Sequence, residues 1–290
     1  MRGRSVFGNM TPNLIKPKIM CIYLKAVVFC LLGVGLSLGG CAKEKRTRFV
    51  IKTSYPMVEE AIVSFFEETD PIFAKEAAPA NLKLLQGMAR GAPDHEPIQL
   101  AASQFMAMYA FGFLEDVRGD WQQRESSNER ARAFYLRGRE YAIGVLQRHG
   151  DFRRMLDMPL DDFKKALAKF EKEHVAALMW TSFNWGLYIN LSRSDVSAVA
   201  DLSKVGAIAE RVIELDEGFY FGSAHLFLMV YYGSVGKAVG GSPEKAKQEY
   251  EKAWEIGEGK YLLPKYLFAK TYCMQSLNRE LFERLLTEII

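Results

Sequence analysis

Metal-binding and redox residues are scarce in this sequence. Its 290 residues contain four histidines and four cysteines. His95, His149, His174 and His225 stand far apart, so no pair has the three-to-five-residue spacing that puts two imidazoles on one helical turn around zinc. There is no CxxC, which excludes the common thiol–disulfide motif. Strand-like alternation is also scarce, and after residue 53 no Pro-, Gly- or Ser-rich linker divides the chain. The segment GSVGKAVGGS has glycines and Gly236-Lys237, but no Ser or Thr follows the lysine and no strand precedes it; it reads as a helix-to-helix connection rather than a phosphate loop. No nucleophile–base or metal-ligand spacing is present, so neither an enzyme nor a cofactor is expected.

Charge of one sign is missing where it would matter for nucleic acid. The chain carries 38 Lys+Arg against 35 Asp+Glu, but Arg2, Arg4, Lys16, Lys18 and Lys25 lie in an acid-free N-terminus. Without them 33 basic residues face 35 acidic ones, which removes the basic footprint of a nucleic-acid binder. That N-terminus has its own logic. A basic start, the largely apolar Ile22–Leu38 and the small residues before Cys41 describe a secretory signal over residues 1–40. Met10 and Met20 are alternative starts. The junction Leu38-Gly39-Gly40-Cys41 resembles a lipobox, in which the cysteine becomes the lipidated first mature residue. Ala42, not Asp, follows it, which by common sorting rules implies outer-membrane placement. With Cys21 and Cys30 removed and Cys41 acylated, Cys273 has no partner in the chain and reads as a buried, inert thiol.

Residues 41–53 are basic and read as a tether short of strong structure; residues 54–290 read as one helical domain. Apolar residues recur at helical spacing over Tyr55–Thr69, Ala80–Arg90, Ile98–Val117, Asn128–His149, Asp161–Phe170, Val175–Leu191, Leu202–Leu215, Ser223–Tyr232, Pro243–Ile256, Leu263–Met274 and Arg279–Ile290. In GGSPEKAKQEYEKAWEIG, Ser242 caps, Pro243 suits the first turn, and Ala246, Tyr250 and Ala253 share a face. That spacing fits the second helix of a tetratricopeptide unit. Val205, Ala209 and Val212 repeat it one unit earlier, while Leu281, Leu285 and Glu288 fit it poorly. The fold predicted is all-α: a degenerate tetratricopeptide-like repeat array, an α-α superhelix, in which Pro243–Ile256 packs on the helices before and after it. The sequence stops at Ile290 inside an amphipathic helix, which predicts either a truncated chain or an open last pair.

Two stretches carry the candidate site. In MWTSFNWGLYINLS, Trp180, Asn184 and Tyr188 form one stripe and Trp185 another. FYFGSAHLFLMVYYG offers a matching surface with His225 and Tyr232. Large aromatics interrupted by Asn184 and His225 suit either a packed core with satisfied polar groups or the wall of an apolar ligand cavity between the two helices. In the second case protonated His225 pairs with a ligand carboxylate. The candidate ligand-binding residues are therefore Trp180, Asn184, Trp185, Tyr188, His225 and Tyr232.

The same stretches, with AHLFLMVYYGSVGKAVGGSPEKAKQEYEKAWEI, LLPKYLFAKTYCMQSLNRELFERLL, ANLKLLQGM, YAFGFLED and ARAFYLRGREYAIGVL, resemble the TRAP-transporter T-component (TatT) family over most of residues 65–290. The resemblance implies a non-enzymatic, lipid-anchored periplasmic protein with tetratricopeptide-like helices. It implies work beside the solute-binding protein of a tripartite ATP-independent periplasmic transporter, a homotrimer, and a cleft or pore for a hydrophobic organic acid or lipidic molecule. A scaffold for envelope assembly, whose grooves bind protein and no small molecule, is the alternative. A cavity lined by Trp180 or Trp185 and His225 separates the two.

Overall fold

The computed structural model describes residues 40–290 apart from Asp116, Ala238 and Val239, with residues 40–42 described by their backbone. Residues 1–39, nearly all of the expected signal, lie outside the described residues. The chain divides into two units between Ser54 and Tyr55.

In the first unit, α1 spans Gly40–Thr53. The segment expected to lack strong structure is thus helical. The run from Cys41 to Thr53 has no Pro or Gly and is rich in Lys, Arg, Ala and Glu, all good helix formers, and Arg48 pairs with Glu44 one turn away at 3.0 Å.

The second unit is built of helices, and among the described residues it has no strand, as the periodicity predicts. Its first helices are α2 (Tyr55–Phe66), α3 (Pro71–Gly91), α4 (Glu96–Phe113) and α5 (Trp121–His149). Local chemistry sets their starts. Asp70 accepts from the amides of Ile72 and Phe73, with Pro71 in the first turn. The α3 helix then runs through Pro79, where the sequence suggested a later start at Ala80. Burial of Ala74, Ala78 and Leu82 holds the helix in place against the lost amide. Asp120 and Gln123 form a capping box, which starts α5 seven residues ahead of the expected Asn128.

Two short helices, α6 (Phe152–Met155) and α7 (Leu160–Leu167), lead to α8 (Val175–Asn190). Then follow α9 (Val196–Ala200), α10 (Leu202–Asp216), α11 (Phe219–Ser234) and α12 (Pro243–Ile256). The chain closes with α13 (Leu263–Phe268), a π-helical turn over Ala269–Cys273, and α14 (Arg279–Thr287). The longer helices pack in chain order: α3 on α4, α4 on α5, α5 on α8, α8 on α10, α10 on α11 and α11 on α12. Helix α12 packs on α11 and on α13, the neighbours its apolar face was expected to need. Ala246 and Ala253 are wholly buried there.

One core gathers Leu146, Phe152, Phe163, Leu178 and Ile208 around α5, α8 and α10. A second gathers Leu228, Met229, Ala246, Phe268 and Leu285 around α11 to α14. Each of the Leu, Ile, Met and Phe side chains among them contributes about 1.5–3 kcal/mol on leaving water. Cys273 is buried in the second core, and burial pushes its thiol up, which keeps it protonated and inert.

Candidate functional site

Helices α2, α4, α8 and α11 leave a cavity of about 590 Å³ between them. From α2 and α4 come Ile62, Val63, Phe66, Met108 and Phe111, with Glu67 just past the end of α2. From α8 come Trp180 and Phe183. The α11 side supplies Tyr220, Phe221, Ser223 and Leu226, and Tyr261 and Leu263 close one edge.

The backbone is unusual where α11 begins. Tyr220, Phe221 and Gly222 have φ of 47°, 59° and 70°. Left-handed geometry is ordinary for Gly222, whose missing side chain also makes room for Ile256. For Tyr220 and Phe221 it costs about 1–2 kcal/mol each. The turn is held by Ser223 Oγ, which donates to the Tyr220 carbonyl at 2.5 Å. Its effect is to aim two adjacent rings at the cavity. Tyr220 meets Trp180 edge-on at 5.2 Å between centroids, and Phe221 meets Tyr261 at 5.5 Å. Backbone strain of this kind concentrates at functional sites.

The polar groups of the wall are mostly neutral. Gln104 Nε2 donates to the Tyr220 hydroxyl at 3.1 Å. Burial pushes the Tyr220 phenol up against the opposing pull of that hydrogen bond. Burial, and secondarily Tyr220, push Tyr261 up to about 12. Both phenols therefore stay protonated across the physiological range.

Of the six residues nominated from sequence, Trp180 lines this cavity; the other five lie elsewhere. Asn184 is fully buried and ties three helices together. Its Nδ2 reaches the Trp180 carbonyl at 2.8 Å, Ser103 Oγ at 3.1 Å and the Ser103 carbonyl at 3.3 Å, and Ser103 Oγ donates to the Gly138 carbonyl at 2.7 Å. Asn184 is thus a satisfied donor, although its Oδ1 makes no hydrogen bond. Trp185 points into the α5–α8–α10 core, with the Arg139 guanidinium 5.1 Å from its ring. Tyr188 is half-buried against the same core.

His225 has carboxylates of its own. Nδ1 lies 2.5 Å from Glu249, and Nε2 lies 3.3 Å from Glu217 without the alignment of a hydrogen bond. The ligand carboxylate expected for it is supplied from within the protein. Tyr232 belongs to the second core, with Lys245 5.0 Å from its ring, and burial, then Glu210 and Glu249, push its phenol up to about 12. On α8 the three nominated residues other than Trp180 turn away from this cavity, because a helix packed on several sides has no single stripe that faces one neighbour. Gln104, Phe111 and Tyr261 went unnominated because nothing local marks them. Tyr220 and Phe221 stood within the FYFG run, just ahead of the expected helix start.

Among the described residues no three His, Cys, Asp or Glu side chains converge as a metal site, and no helix is long and apolar enough to cross a membrane. A family model described as "TRAP transporter T-component" matches residues 67–290. An uncharacterized protein of Treponema pallidum (strain Nichols) is similar, 23% identical over 194 residues, which is 64% of this chain and 60% of that protein.

Proposed function

Because this chain belongs to the TRAP transporter T-component family, we propose that it is a lipid-anchored accessory component of a tripartite ATP-independent periplasmic transport system. It holds or hands over a hydrophobic ligand and docks the solute-binding protein. Cys41 carries the lipid and seats the chain on the periplasmic face of the outer membrane, and three copies assemble. No catalysis is assigned to it.

The observation that carries this reading is the cavity: a partly enclosed volume of about 590 Å³ with aromatic and aliphatic walls and a few placed neutral polar groups, as small-molecule sites are built. Strained backbone at Tyr220 and Phe221 favours it over accidental imperfect packing, because the strain is maintained where the rings are presented.

The test is mass spectrometry of small molecules extracted from the purified full-length protein and from a Val63→Trp variant. Val63 lines the cavity yet is half exposed, so the larger ring fills the opening without disturbing a core. A hydrophobic molecule retained by the first and lost from the second supports the reading. Nothing retained by either, with transport intact in Val63→Trp, rejects it. For the anchor, a Cys41→Ser protein that still matures and partitions into detergent would reject lipidation.

The scaffold alternative has its own support. Met57, Ile72, Phe73 and Leu84 on α2 and α3 are all well exposed, and large apolar side chains left in water are the raw material of a protein-contact face. It is the reading that stands if the cavity proves empty.

A further inference from the structure

The charge at the cavity is one-sided. Among its described lining residues Glu67 has a formal charge, and none is Lys, Arg or His. Glu67 sits exposed past the end of α2, and among the described residues its carboxylate makes no ion pair. The lysines nearest the Tyr261 edge in the chain are already engaged, Lys260 with Glu258 and Lys265 with Glu288, each at 2.8 Å. His225, close by on α11, faces Glu249 and Glu217 instead. Seven of the fifteen lining residues are aromatic, and the faces of such rings carry negative potential.

We infer that the cavity selects a hydrophobic molecule with an ammonium head over the same molecule with a carboxylate head. The inference rests on the reading that the cavity holds a ligand, and it names the chemistry of that ligand. A carboxylate entering here gives up its hydration and meets no cation. It also meets like charge at Glu67. The phenols cannot become anions to repel it further, and they donate at most one hydrogen bond each. An ammonium group finds the opposite: the exposed Glu67 carboxylate and an aromatic-rich wall, the two kinds of group that attract amines and quaternary ammonium ions. The alkyl or aryl body of either molecule gains the same apolar contact, so the head group decides.

The experiment is isothermal titration of the full-length, detergent-solubilised protein with octylamine, octanol and octanoate at neutral pH. The Val63→Trp variant in the same detergent supplies the partitioning background. Octylamine is expected to bind about tenfold more tightly than octanoate, with octanol between them. Glu67→Gln should weaken octylamine about threefold and leave octanol unchanged, and Glu67→Lys should move the preference towards octanoate. Glu67 is exposed, so both variants keep the fold. Octanoate binding as tightly as octylamine overturns the inference while the ligand cavity stands. An octylamine preference that neither Glu67 variant moves also overturns it, because the selecting charge then lies elsewhere. If none of the three exceeds the Val63→Trp background, the ligand cavity itself is rejected and the inference falls with it.

Discussion

Replacing Gly138 with alanine puts one methyl group where three helices meet. Gly138 lies on α5 against α8, and a Cβ there would stand 2.2 Å from Asn184 Oδ1 and 2.7 Å from its Cγ. Asn184 cannot swing aside freely, since its Nδ2 is bound to Ser103 and to the Trp180 carbonyl. Relief comes in one of two ways. Either Asn184 rotates and leaves buried polar groups unsatisfied, at about 1–3 kcal/mol, or α5 backs away from α8 and loosens the core, at a similar cost of about 1–3 kcal/mol. Alanine recovers up to about 1 kcal/mol of helix propensity over glycine. The net expectation is a loss of about 1–2 kcal/mol.

Gly144, on the same helix, is the control, because a Cβ there meets nothing within 4 Å. Gly144→Ala should stabilise by about 0.5–1 kcal/mol. Urea unfolding followed by circular dichroism measures both variants, and their midpoints should move in opposite directions. In an Asn184→Ala background, Gly138→Ala should cost almost nothing further, a coupling of about 1 kcal/mol or more. Equal midpoints for the two glycine variants, or a Gly138→Ala cost independent of Asn184, would refute the account of this junction.

Ala253→Trp should destabilise by about 1–3 kcal/mol, since Ala253 is wholly buried between α12 and its neighbours. Lys247→Trp on the exposed face should change thermal stability by less than about 0.5 kcal/mol, and equal losses would show that α12 is docked on another face. The Tyr261 phenol, raised to about 12 from its ordinary 10.0, favours the protonated folded state. Its contribution to stability is therefore complete below pH 10 and lost as pH rises towards 12. Tyr261→Phe should reduce that alkaline loss in a denaturation series and leave neutral stability nearly unchanged, and an identical alkaline profile would contradict the assignment. His225→Ala should cost about 1–3 kcal/mol by stranding the Glu249 carboxylate, with part recovered on adding Glu249→Ala. Octylamine binding should not change in that pair, because neither residue lines the cavity.

Much of the helical framework is legible residue by residue in the chain. Ser242, Pro243 and the Ala246–Tyr250–Ala253 face delimit α12 as it is found, Pro243–Ile256. These signals are local: a cap acts on an amide two or three residues away, and a helical face repeats every three or four. The apolar faces also state that each helix needs a neighbour, which is why sequential packing followed from them.

Other features depended on which surfaces met. Nothing near Asn184 announces Ser103, 81 positions earlier, as its partner, and nothing near His225 announces Glu249. From the sequence both residues suited either a packed core with satisfied polar groups or a ligand wall, and the partners that the fold brings to them favour the first. The left-handed turn at Tyr220–Gly222 runs against the intrinsic preference of two of its three residues, so only tertiary packing can maintain it. The cavity shares that origin. Its walls come from elements separated by some two hundred residues of chain, between Ile62 and Leu263. The absence of a cation among its described lining residues belongs to the assembled wall, because charge at a site is set by the side chains that converge on it and not by those adjacent in sequence.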